Sequence, residues 1–214
     1  MRKFLAGAVL ALGLSTSASA AVIVLDFQGV ANPSNSTSIG GFYNGGVSGD
    51  GNSGPNYGVE FSPNALAINS YNGCCEPDPG ILYFLTGPGV FINYAAGFTT
   101  GFSFFYASNT ADSSVSVYDG LNGTGNVLAS FGLSQNWSSN CGYCIWDPIG
   151  VAFGGTARSI GFLGAAGFVG FDRVTFGSDR PGEVPEPATL AMLISGIGLV
   201  GVATRRRRTI VTAA

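Results

Sequence analysis

The chain of 214 residues contains no histidine. That absence removes Ser-His-Asp and Cys-His nucleophilic machinery, which needs an imidazole base, and the commonest side chain of metal sites. Charge is also scarce. Charged residues make up 10% of the chain, against about 25% in an ordinary soluble protein. Positive charge is nearly missing from the middle. Arg2 and Lys3 open the chain and Arg205, Arg206, Arg207 and Arg208 close it, which leaves only Arg158, Arg173 and Arg180 between. From residue 21 to 183 these three stand against eleven of the twelve acidic residues, all except Glu186, a net charge of −8. Such a segment cannot neutralise phosphates, which excludes nucleic acid as a partner. Residues 21–177 show no sustained helical period. No phosphate-cradling glycine motif precedes a helix, and the collagen Gly-X-Y repeat is absent.

Glycine and phenylalanine are plentiful, at 34 and 16 residues. This mix is too apolar for a disordered chain. Runs of β-branched and aromatic residues alternate with Gly, Asn, Asp and Pro, as short strands and turns do. Strands are predicted over 22–27, 58–61, 65–69, 81–86, 90–95 and 101–108. Others are predicted over 113–119, 126–133, 149–154, 157–163 and 168–177. Asp119-Gly120-Leu121-Asn122-Gly123 suits a hairpin turn. The polar stretch 32–56 reads as a long loop with little core of its own. The spacing predicts an all-β fold, an antiparallel β-sandwich of jelly-roll type. About 160 residues suffice for one such two-sheet core, so residues 21–177 are expected to form one domain.

The N-terminal segment 1–20 has the order of a secretory signal peptide. Arg2 and Lys3 precede an apolar core over 4–14, and Ala18-Ser19-Ala20 is a small-residue cleavage site. The apolar run is too short to span a bilayer, so the domain is expected to be exported.

Export favours disulfides for the four cysteines, Cys74, Cys75, Cys141 and Cys144. A four-thiolate zinc site is the competing reading. It is disfavoured because Cys74 and Cys75 are adjacent, where zinc ligands are usually separated by two residues. Adjacent cysteines rarely bridge each other. The expectation is that each member of the first pair bonds one member of the second.

Three sets of side chains are candidates for chemistry. Asp26 and Asp172 fall in the first and last predicted strands. Alternation puts Asp26 on the face of Val22 and Val24, and Asp172 on that of Val174 and Phe176. A carboxylate on an apolar face wants a partner. Structural calcium is one reading, and pairing with an arginine or exposure at strand ends is the other. No other cofactor is expected. Glu76, Asp78 and Asp147 each precede a proline. Two such carboxylates could hydrolyse a glycoside, but nothing fixes a pair, and they read as turn residues. Trp137, Tyr143 and Trp146 surround the second cysteine pair. They are candidates for carbohydrate contact, against packing around a disulfide.

After a short polar linker over 178–183 comes the tail, over 184–208. It reads Val184-Pro185-Glu186-Pro187-Ala188-Thr189, then an apolar run to residue 203, then the four arginines. From 185 to 204 Glu186 is the one charged residue. A membrane helix is predicted over about 188–204, near the lower limit of about 17 residues for spanning. The arginine cluster predicts a cytoplasmic C-terminus. The domain then lies on the periplasmic side of the inner membrane.

This tail resembles the PEP-CTERM sorting signal of polymer-producing Gram-negative bacteria, with Pro185, Glu186 and Pro187 as the motif residues. The resemblance implies recognition by an exosortase, an integral membrane cysteine protease and transpeptidase. It implies cleavage near the motif and transfer to the cell surface or extracellular polysaccharide. The catalytic residues would be the exosortase's. Two prolines keep the segment extended and outside the helix. The expected function is structural or adhesive and non-enzymatic. A carbohydrate-binding jelly roll is the alternative and a surface polysaccharide hydrolase the third reading.

Overall fold

The computed structural model describes residues 22–33, 35–69, 80–109, 112–138 and 141–182. The predicted signal peptide, the predicted membrane helix, the sorting motif and Cys74, Cys75, Glu76 and Asp78 lie outside the described residues. Twelve strands lie among the described residues, beginning with β1 (Ile23–Leu25), β2 (Ser36–Ser38), β3 (Val59–Phe61), β4 (Leu66–Asn69), β5 (Gly80–Tyr83) and β6 (Gly89–Phe98). They continue as β7 (Phe102–Ser108), β8 (Ser113–Tyr118), β9 (Val127–Leu133), β10 (Asp147–Val151), β11 (Ala157–Leu163) and β12 (Val169–Phe176).

The strands pair antiparallel into two sheets. The seven-stranded sheet runs β10-β7-β12-β5-β4-β2, with β1 also paired to β12. The five-stranded sheet runs β3-β6-β11-β8-β9. The fold is all-β, with no helix among the described residues.

Phenylalanine explains how the sheets join. Phe162 on β11 meets Phe102 and Phe104 on β7 and Phe171 on β12, at centroid separations of 4.4–6.0 Å. All four are fully buried. Aromatic rings at this spacing add specific edge and offset contacts to their large buried area. The sheets therefore meet through one aromatic layer, which accounts for the richness in Phe.

The stretch 32–56 departs from its expectation. It contains β2, which pairs with β4. It also delivers Ile39, Phe42 and Tyr43 to the core. The Tyr43 hydroxyl accepts a hydrogen bond from the Phe27 amide at 2.8 Å. Polar residues carry the turns here, and three large side chains pack into the core.

The predicted hairpin between β8 and β9 forms. The Asp119 carboxylate accepts from the Asn126 amide at 2.7 Å and from the Asn126 side chain at 2.8 Å. These bonds hold its carboxyl below the usual carboxylate range. Asn122 takes φ 55°, a left-handed conformation that asparagine tolerates.

Candidate functional site

One cavity of about 270 Å³ opens on the seven-stranded sheet. Its floor comes from Ile68 on β4, Ile81 and Tyr83 on β5, and Val169 and Gly170 at the start of β12. Leu85 and Gly167 form part of the rim, and Tyr143 and Trp146 close it from the segment before β10. None of the described residues that line it is charged.

Local chemistry fixes that segment. Asn136 anchors it to β7: its Oδ1 accepts from the Ser108 amide at 2.7 Å, and its Nδ2 donates to the Tyr106 carbonyl and to Asp147 Oδ2. Cys141 and Cys144 form a disulfide with Cα atoms 5.6 Å apart, inside the range such bonds need. This corrects the expected bonding between the two cysteine pairs. A turn already brings residues three apart together, so Cys141 and Cys144 satisfy each other.

The aromatic side chains are held by their polar tips. Trp146 Nε1 donates to the Tyr143 carbonyl at 3.0 Å. The Tyr143 hydroxyl donates to the Gly167 carbonyl at 2.7 Å, and the Tyr83 hydroxyl bonds Ser36 Oγ. The indole lies over Gly170. A Cβ at that position would sit 3.0 Å from Ile81 Cγ2 and 3.3 Å from Trp146 Cη2. Both are tighter than most real contacts, so glycine makes room for the ring.

The structure thus brings Tyr143 and Trp146 together and adds Tyr83, which the sequence reading missed. Trp137 is 47% exposed and does not line the cavity. Tyr83 carries no local signal; it joins the site because β5 lies beside β12.

Asp26 and Asp172 come close enough for their charges to interact. Burial pushes the Asp172 carboxyl up to about 7, the Arg173 amide opposes this, and the Asp26 charge adds to it. Burial also pushes the Tyr43 phenol well up, assisted by the charge of Asp26. The expected facing of Asp172 is not met. The β12–β7 register shifts between Asp172 and Thr175, with Arg173 at φ 46°. This bulge puts Phe171, Val174 and Phe176 all in the core, so Asp172 does not share a face with Val174 and Phe176. Asp172 Oδ1 accepts from the Arg173 amide at 2.6 Å. Among the described residues, no group of three or more His, Cys, Asp or Glu side chains is placed to hold a metal.

Fold and cavity together define a disulfide-bearing β-sandwich with an aromatic-walled hollow, followed by a sorting tail. Residues 183–208 match the family model of the PEP-CTERM protein-sorting motif. The motif implies an exported, surface-directed protein sorted by an exosortase. No curated protein matches the chain.

Several solved structures are similar to part of it. CsCBM6-3 from Clostridium stercorarium, in complex with cellobiose, is 13% identical with a TM-score of 0.37, covering 55% of this chain and 83% of that one. A carbohydrate binding module from Cellvibrio mixtus lichenase 5A, in complex with cellotriose, is 13% identical with a TM-score of 0.33, covering 56% and 87%. A family 43 arabinoxylan arabinofuranohydrolase from Bacillus subtilis is 14% identical with a TM-score of 0.36, covering 56% and 26%.

Proposed function

We propose that this protein is a non-enzymatic substrate of an exosortase-type membrane protease. The tail anchors the sandwich to the inner membrane, with the sandwich on the periplasmic side. Cleavage near Pro185, Glu186 and Pro187 then releases it to the cell surface or extracellular polysaccharide, where its role is structural or adhesive. The match of residues 183–208 to the sorting motif carries this reading. Fractionation of host cells with and without their exosortase tests it. Loss of the protease should move the protein from the released to the membrane fraction, and an unchanged distribution overturns the sorting role.

A second reading is carbohydrate binding, favoured by the convergence of Tyr83, Tyr143 and Trp146 on one cavity. Aromatic walls with few polar groups are the usual make-up of ligand pockets. A glycan array with Trp146→Ala as control tests it. Hydrolysis of a glycoside would need two carboxylates flanking the bond. Among the described residues the lining holds no carboxylate, and glycoside hydrolysis is the third reading. A calcium ion between Asp26 and Asp172 would add a structural cofactor, and calorimetric titration with calcium decides whether one binds.

A further inference from the structure

We propose that the cavity takes a neutral sugar residue bearing a methyl group, a 6-deoxyhexose or an acetylated hexose. The methyl enters first, and the sugar ring lies against Trp146 and Tyr143. This rests on the carbohydrate-binding reading and adds the ligand class.

Three observations carry it. The first is the aliphatic part of the lining, Ile68, Ile81, Leu85 and Val169. Apolar atoms leaving water gain there, and a hydroxyl entering the same space would lose its water. The second is that the polar tips of the aromatic walls are already engaged. Trp146 Nε1 bonds the Tyr143 carbonyl, the Tyr143 hydroxyl bonds the Gly167 carbonyl, and the Tyr83 hydroxyl bonds Ser36. A site selects a hydroxyl strongly when its own buried polar groups would otherwise go unpaired. Here that selection falls instead on apolar substituents.

The third observation is charge. Among the described residues the lining holds no cation, and residues 21–183 carry a net charge of −8. An acidic polymer meets repulsion with no partner for its carboxylates. At about 270 Å³ the cavity lies just below the usual range of about 300–1,000 Å³ for ligand pockets. It suits one sugar residue presented by a polymer rather than a buried chain.

The test uses the full chain in detergent and matched sugars. D-fucose is compared with D-galactose, and L-rhamnose with L-mannose, by NMR titration. Acetylated glucomannan is compared with its deacetylated form, and polygalacturonate supplies the acidic arm. The methyl-bearing member of each pair should bind at least five-fold tighter, and polygalacturonate weakest. The sugar pairs separate a deoxy group from an acetyl group as the source of the methyl. Trp146→Ala should cost at least ten-fold with unchanged circular dichroism, and Trp146→Phe should keep most of the binding. Equal binding within every pair, or polygalacturonate binding at least as tightly, overturns the methyl assignment and leaves carbohydrate binding standing. No binding by any sugar overturns both.

Discussion

Two residues carry most of the testable chemistry. Asp172 is raised to about 7 by burial and by the neighbouring Asp26, while an unfolded aspartate titrates near 3.9. A raised folded-state pKa means that stability is fully present below the unfolded value and is lost as pH rises through the folded one. Urea denaturation should therefore show the protein losing stability between about pH 4 and pH 8. Asp172→Asn should flatten that slope and stabilise the protein at pH 8, at about 1.4 kcal/mol per pKa unit. A slope unchanged by the substitution would remove Asp172 as its source. Gly170 is the second residue. Gly170→Val should force the Trp146 ring off its seat at a cost of about 1–3 kcal/mol. In a Trp137→Phe background, the remaining tryptophan emission should shift to the red. An unshifted spectrum would show that the ring does not depend on that gap.

Among elements, β11 and the disulfide segment separate what the sequence makes legible from what it hides. β11 alternates side chains across a sheet, and its span 157–163 is the strand predicted from the sequence. Phe162→Ala should cost about 3–5 kcal/mol in chemical denaturation, because it faces three other buried rings. Ten other strands follow from similar local runs. β2 does not, because Ser36, Thr37 and Ser38 have no apolar pattern and are recruited by pairing with β4. The bulge at Arg173 is equally silent, since it shows only in the register of β12 against β7. Tyr143 and Trp146 were visible as aromatics near cysteines. Their partners Tyr83 and Gly170 come from strands distant in the chain, which no local pattern reports. In the disulfide segment, Cys141→Ser with Cys144→Ser should cost about 2 kcal/mol, the chain-entropy value for so short a loop. Sugar affinity should fall further than that stability loss explains, because the bond holds the turn that carries Tyr143. Equal affinity in oxidised and double-serine forms would assign the bond to stability alone.

At the scale of the molecule, β12 sets the geometry. Its first residues line the cavity. At its other end Thr175 Oγ1 accepts from the Gly182 amide at 3.0 Å. Five residue steps lead from Gly170 to Thr175, at most about 17 Å of chain. The hollow and the last described residues thus lie towards opposite ends of the strand. Replacing both Pro185 and Pro187 with alanine should let the segment join the helix predicted over about 188–204. The protein should then accumulate uncut in the membrane fraction, and normal release would exclude the extended segment as the recognition element.

Those last described residues also bear on release. Residues 178–182 lie on the sandwich rather than hanging from it. Ser103 Oγ donates to the Ser178 carbonyl at 2.9 Å, and a Cβ at Gly101 would come within 2.7 Å of the Asp179 amide nitrogen. Only three peptide steps then separate Gly182 from Pro185, a reach of at most about 11 Å. A protease working at that motif has to come against the folded domain itself. Under the proposed cleavage near Pro185, Glu186 and Pro187, the docked strap would act as a short leash that sets the clearance at the cutting site, and release would be sensitive to the bulk of the cargo as well as to the motif.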